Sequence, residues 1–453
     1  MIPNRKFSRT PKAFFARQVG SPTRPVTRVS VALATAVALA GLALALLLNA
    51  KTAPSPLWGT LDTQTGTAAT EDKAGVTMAM FEFNWASFEP AKGVFSASYL
   101  ATMKYELAAY RAAGMRVTLG LGTQNAPSWV FSLANSTYID QDGKVSTEAD
   151  WIFSAAVRSA AVTYLDKIAA DFPLTDFWAI RLTSGGDPEM LYPGGGTYWA
   201  FNKAALTGSG LAVGMTRNPY PNWKPGTAGL TQAQISTWVN WYIGGLDNVT
   251  DWQMQTLSRL GFTGYYETVT PGSGTRPDDL TRTERQNLAN DGTTGVGAVW
   301  DRYYSMLPNK ANVIAYISAV ADQSGGNDSC QAADTSLSLT DSTMDSWSAT
   351  RWISRIAAAD NLPVGGENPG YRLPARLDSF YINASSDGMM ASAIREARTC
   401  HFKVFYWAHD IYLWDGTLPF ARYAAYTKSN HTTTLSNITW FRPAATGPHR
   451  LPG

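Results

Sequence analysis

The chain has 453 residues, of which 45% are hydrophobic and 16% charged, with a formal net charge of +2. That is enough material for one large globular domain and too apolar for a disordered polymer. Arg5, Lys6, Arg9, Lys12, Arg17, Arg24 and Arg28 carry the excess of positive charge. The remainder of the chain is acidic, so nothing favours a nucleic-acid surface.

Residues 1–28 form this basic segment, rich in Pro and Ser and without apolar periodicity, which reads as a cytoplasmic tail. Val29 to Ala50 is an uncharged apolar run. As a helix it would reach about 33 Å, enough to cross a bilayer. The basic flank then keeps the N-terminus in the cytoplasm and exports the rest. A cleaved signal peptide is the alternative, although its apolar region is usually about 7–15 residues long. Either reading predicts an extracellular protein, anchored by this segment or secreted. Residues 51–73 are rich in Thr, Ala, Ser and Pro and read as a linker.

From residue 74 to about 430 one unit repeats: a short apolar run, a loop, an amphipathic stretch. The runs are VTMAMFEF (76–83), RVTLGLG (116–122), a weak one near Asn135 to Tyr138, DFWAIRLT (176–183), FTGYYETV (262–269), NVIAYISAV (312–320), LPVGGE (362–367) and HFKVFYWAH (401–409). Helical stretches lie between them, at 99–114 with Gly114 as a C-cap, at 151–172 and at 349–360. Eight such units predict an α/β fold, a (β/α)8 TIM barrel. A doubly wound open sheet is the alternative, but no phosphate-binding glycine-rich turn comes after the first run. Residues 431–453 read as a C-terminal tail.

In such a barrel, catalytic groups project from the C-terminal ends of the strands. The fourth run leads into Gly185-Gly186-Asp187-Pro188-Glu189, the seventh into Gly365-Gly366-Glu367-Asn368. Glycosidic cleavage needs a proton donor for the leaving oxygen and a second carboxylate for the anomeric carbon or a water. Glu189 and Glu367 supply that pair. The first run ends in Glu82, Asn84 and Trp85, and the second in Asn125 and Trp129. The fifth contributes Tyr265 and Glu267, the seventh Asn368, and the eighth Trp407, His409 and Asp410. Such a mixture of carboxylates, amides and aromatic faces suits sugar hydroxyls and sugar rings. The expected partner is therefore a carbohydrate. There are four His, no HExxH, no Cys/His cluster, no GxSxG and no Walker loop, so no metal and no cofactor are expected.

Cys330 and Cys400 are the two cysteines. Export favours a disulfide. Against it, Cys400 falls at the start of a strand and Cys330 in a loop after one, at opposite ends of a barrel.

The segment Trp85-Ala-Ser-Phe-Glu89-Pro90-Ala-Lys-Gly93-Val-Phe95 resembles the W-x-x-x-E-P-x-x-G-x-(Y/F) pattern of clan A glycoside hydrolases, closest to family forty-two β-galactosidases. Asn125-Ala126-Pro127-Ser128-Trp129 resembles the A-P-x-W end of their second strand. The resemblance implies a retaining, exo-acting glycosidase, with an acid/base Glu after strand four and a nucleophilic Glu after strand seven. These correspond to Glu189 and Glu367. Pro188 stands where that clan usually carries Asn. Gly186-Asp187-Pro188-Glu189-Met190-Leu191-Tyr192-Pro193 instead resembles the G-E-L-R-Y-P stretch of β-amylases, and Gly366-Glu367-Asn368 their second catalytic segment. β-Amylases invert, so the resemblance leaves an inverting glucan hydrolase as the alternative. An inactive carbohydrate-binding barrel is a third reading.

Overall fold

The computed structural model describes residues 55–289, 291–325 and 329–428. The basic segment, the apolar run Val29 to Ala50 and the tail from residue 431 lie outside them. Among the described residues no helix is long and apolar enough to cross a membrane.

Among the described residues ten strands occur in chain order: β1 Leu57–Thr60, β2 Met78–Glu82, β3 Arg116–Gly120, β4 Thr137–Ile139, β5 Val145–Ala149, β6 Ala179–Leu182, β7 Tyr265–Thr270, β8 Val313–Ile317, β9 Val364–Glu367 and β10 Val404–Trp407. Eight of them close a parallel barrel in the order β1-β10-β9-β8-β7-β6-β3-β2. The fold is the expected (β/α)8 barrel, not an open sheet, because β1 pairs with both β10 and β2.

Two expectations about the strands were wrong, and their errors cancel. The supposed linker 51–73 contains the first barrel strand, β1, and a helix, Ala68–Lys73. Four residues including a glycine are too few to show alternation, and the Thr- and Ala-rich surroundings hid them. The run 76–83 is therefore the second barrel strand and 116–122 the third. The weak run near Asn135 to Tyr138 is no barrel strand. It belongs to an antiparallel pair, β4 with β5, inserted after the third. From the fourth barrel strand, β6, the order is as expected.

The helices start and stop where their caps place them. Ala97–Ala113 begins where the Ser96 hydroxyl accepts the Tyr99 N–H at 3.2 Å, and ends at Gly114 with φ 94°. Ala155–Asp171 and Ala349–Ala359 open in the same way on Ser154 and Ser348.

Strand alternation divides the barrel into two environments. Outward residues such as Phe81, Leu119, Ile180, Ala315 and Phe405 join the large core under the helices. Inward residues Met78, Met80, Val269, Ile314, Tyr316, Val404 and Tyr406 fill the barrel itself. Cys330 and Cys400 are bonded, with Cα atoms 4.9 Å apart. The objection from opposite ends fails because the connection after β8 is long enough to return along the outside. Arg351 holds that connection by donating to both oxygens of buried Asp334, at 2.8 and 2.7 Å.

Candidate active site

At the C-terminal ends of the strands the inward positions turn polar. Glu367, the last residue of β9, receives two bonds on the same oxygen, Oε2. One comes from Arg181 Nη2 of β6 at 2.7 Å, the other from the Tyr316 hydroxyl of β8 at 2.6 Å. Arg181 also donates to the Tyr316 oxygen at 2.6 Å and lies 4.6 Å from that ring's centre. The Arg181 and Glu367 side chains are only 12% and 13% exposed, so this ion pair is shielded from bulk screening.

Glu189 is carried by the loop after β6. Gly185, at φ 93°, turns that loop against the Trp151 ring, where a β-carbon would come within 2.2 Å of ring atoms. The loop is then tied down by the Ser184 N–H to the Glu189 carbonyl at 2.9 Å, the Glu189 N–H to Asp187 Oδ1 at 2.8 Å, and the Met190 N–H to the Val269 carbonyl at 2.7 Å. Ser318, just past β8, donates its hydroxyl to Glu189 Oε1. Burial pushes the Glu189 carboxyl up to about 7. The Ser318 bond opposes this, the negative charges of Asp187 and Glu367 add to it, and Arg181 opposes it. A carboxylic acid that keeps its proton near neutrality can donate it.

A cleft of about 200 Å³ opens beside Glu367, lined by Asp62, Glu82, Gln124, Arg181, Thr183 and His409 among others, with Pro188 on its wall. Glu82 accepts the Gln124 amide at 2.9 Å. His409 Nε2 stands 3.8 Å from Asp62 Oδ2.

The structure thus brings Glu82, Glu367 and His409 to one cleft. Glu189 does not line it, although its neighbour Pro188 does and its carboxyl feels the Glu367 charge, and the other expected sugar contacts do not line it either. Asn84 caps the short helix Trp85–Phe88 by accepting the Ser87 N–H. Trp85 is fully buried against Trp129, Trp151 and Tyr164. Trp129 donates to the Glu89 carbonyl at 3.1 Å, so the resembling segment is a packing unit. Asn125 is an exposed turn residue whose carbonyl accepts the Ala86 N–H and which does not line the cleft. Tyr265 begins β7, at the far end of the barrel, under the Lys403 ammonium. Glu267 is buried inside the barrel below the cleft. Asn368 is buried and ties the ends of β9 and β10 together, accepting the Ala408 N–H at 3.0 Å. Asp410 is buried and accepts the Gln64 N–H at 2.7 Å and the Trp414 indole at 3.0 Å.

Trp407 is the clearest correction. It was expected as a sugar platform but is fully buried on the outer side of β10, packed on Tyr381 and Tyr423. The cause is parity. Tyr406 points into the barrel, so its neighbour must point out. Parity also marks the residues that sequence reading missed. Arg181, Tyr316 and Ser318 occupy inward positions of runs already recognised as strands.

No protein-family model matches the chain, and no curated protein matches it. Among solved structures, the chain is similar to the catalytic domain of a β-amylase from Paenibacillus polymyxa, with TM-score 0.56 and 14% identity over 83% of this chain and 98% of that one. It also matches a broad-specificity endoglucanase from an uncultured bacterium, with TM-score 0.41 and 14% identity over 82% of this chain and 86% of that one. A β-galactosidase from the psychrophilic Marinomonas ef1 gives TM-score 0.46 and 12% identity over 76% of this chain and 51% of that one. At 14% identity the similarity to the β-amylase domain concerns the fold alone, a (β/α)8 barrel.

Proposed function

We propose that the chain is an O-glycosyl hydrolase in which Glu189 is the proton donor and Glu367 the nucleophile. The observation that carries this reading is the contrast between the two carboxyls. Burial raises Glu189 to about 7, whereas Glu367 is ion-paired to Arg181. Two carboxyls in unlike environments at the barrel mouth are what glycosidic cleavage needs. Glu367 attacks the anomeric carbon as the C–O bond breaks, and the proton of Glu189 passes to the leaving oxygen. Water then gives a proton to Glu189 and attacks the same carbon, releasing the Glu367 carboxylate. Pairing with Arg181 and Tyr316 makes Glu367 a good leaving group for that second step. Asp62, Glu82, Gln124 and His409, which line the cleft, would bind hydroxyls in this reading, and the cleft's small volume supports exo action on one terminal sugar. The charged N-terminal flank and apolar run support export, anchored or secreted. N-terminal sequencing that finds a start near residue 51 would decide for secretion.

One observation favours the inverting, β-amylase-like alternative: the fold similarity of 0.56 to the Paenibacillus domain. Hydrolysis of a panel of aryl glycosides and glucans, with the first anomer released followed by NMR, separates the two. Net retention supports Glu367 as nucleophile and inversion makes it the base for water. No hydrolysis of any member, with sugar binding intact, leaves a binding barrel.

A further inference from the structure

Below the Arg181–Glu367 pair lies a second carboxylate that takes no part in the proposed reaction. Glu267 is the inward residue of β7 directly opposite Arg181 in the β6–β7 register. It has no solvent exposure. Its Oε1 lies 3.5 Å from the Tyr406 hydroxyl, which in turn is 2.6 Å from the Thr118 hydroxyl. Its Oε2 is buried with no partner among the described residues, and so is Arg181 Nε. A buried carboxylate oxygen and a buried guanidinium N–H, both unsatisfied and on paired residues of adjacent strands, are complementary. The groups facing Glu267 are Arg181 from β6, Tyr406 from β10, Thr118 from β3 and the Glu367 charge from β9. Tyr316 from β8 and Glu82 from β2 share the same guanidinium.

We propose that Glu267 is a positioning residue, a second counter-charge beneath Arg181 that divides the guanidinium between itself and Glu367. It touches no substrate and acts through Arg181. This rests on the reading of Glu367 as the nucleophile. When Glu267 is ionised, Arg181 is drawn on from below and Glu367 is less fully neutralised, hence more nucleophilic. When Glu367 becomes an ester its charge vanishes, and ionised Glu267 keeps Arg181 compensated. When Glu267 is protonated, Arg181 belongs to Glu367 alone and the free carboxylate is held more tightly. Burial pushes Glu267 up to about 7, with Arg181 opposing and Glu367 adding, so this change of state falls near neutral pH.

The test is a ¹³C-carboxyl NMR titration of the full enzyme, with the Glu367 resonance assigned by its loss in Glu367→Gln. Because Glu189 also titrates near 7 beside Glu367, the titration is run in the Glu189→Gln background. There the Glu367 resonance should show, besides its own step, a second inflection near pH 7 where Glu267 ionises. Adding Glu267→Gln should remove that inflection, and Glu267→Asp, which keeps a titrating carboxyl, should retain it. A single step in the Glu189→Gln background overturns the proposal, and so does a second inflection that survives Glu267→Gln. If Glu267→Gln does not fold, Glu267→Asp decides: its second inflection must be displaced, and an unmoved one overturns the proposal. The readout needs no turnover, so absence of hydrolysis would count against the glycosidase reading while leaving this one standing.

Discussion

Tyr316 and Ser318 stand two residues apart at inward positions on and just past β8, and each donates a hydroxyl to one of the two carboxyls, Tyr316 to Glu367 and Ser318 to Glu189. Two residues of strand rise roughly 6–7 Å. A single strand therefore sets the heights of both groups, and substitutions on it should separate their roles.

Glu189→Gln keeps the shape and the acceptor oxygen but cannot give up a proton. Hydrolysis of substrates with poor leaving groups should fall by about 10²–10⁴-fold, the usual contribution of a general acid. In kcat/KM, which reports the first step, substrates carrying a nitrophenolate should lose far less, because that leaving group needs no proton. Equal losses of kcat/KM on both kinds of substrate would reassign the acid, with Asp187, pushed up to about 6 by burial, as the next candidate.

Ser318→Ala should move the basic limb of the kcat/KM profile to higher pH. The Ser318 hydroxyl stabilises the Glu189 anion and holds its value down against burial. Its loss raises that value, so the protonated, active form persists further into the alkaline range. A limb that stays near pH 7 or moves down would show that Glu189 does not control it.

Tyr316→Phe removes one of the two bonds on Glu367 Oε2. A hydrogen bond to a charged group contributes about 1.5–3 kcal/mol, so kcat should fall by roughly 10–150-fold. Because Tyr316 is fully buried, melting temperature must be read alongside. Lost stability with unchanged kcat would make the hydroxyl merely structural.

Stability should increase on acidification from pH 8 to pH 5. Burial, with the neighbouring Asp410 adding, pushes Glu71 up to about 8, and burial pushes Asp150 and Glu148 up to about 7. A carboxyl with a raised folded value binds its proton more tightly folded than unfolded. Its contribution is complete below the unfolded value near 4.3 and is lost as pH rises through the folded value. Thermal melts at intervals of one pH unit would show the slope, and Glu71→Gln should flatten it. A midpoint that rises with pH over this range would refute the assignment.

Reduction, or Cys400→Ser, should cost about 4 kcal/mol, the loop-entropy value for a closure spanning 70 residues. Denaturant titration with and without reductant measures it. A difference below about 1 kcal/mol would mean that the buried Asp334–Arg351 pair already fixes this connection.

The barrel was legible from the alternation of apolar runs with capped helices, and so were the two strand ends that carry Glu189 and Glu367. What hid β1 was length, since four residues including Gly59 give no period. What misled about Trp85, Trp129 and Trp407 was chemistry without direction. An indole suits a sugar face and a core equally, and only strand parity or the packing of the adjoining helix decides between them. The same parity, applied to DFWAIRLT and NVIAYISAV, would have singled out Arg181 and Tyr316. It would not have told that they converge on one oxygen of Glu367, because that depends on closure of the barrel.

The inward face of the strands carries a consequence for how this protein can change. In most enzymes the groove that meets the substrate and the centre that holds the chain together are separate neighbourhoods. Here Arg181 and Glu367 line the cleft while Glu267, Tyr316 and Tyr406, which bear directly on them, are buried in the barrel's centre. Buried ion pairs are often no more stabilising than well-packed apolar residues of the same volume. A lineage or a selection that rewards heat resistance alone would therefore drift towards an oilier barrel and extinguish its chemistry from within. Hardening that spares activity has to be sought on the outer wall, among the helices and their caps.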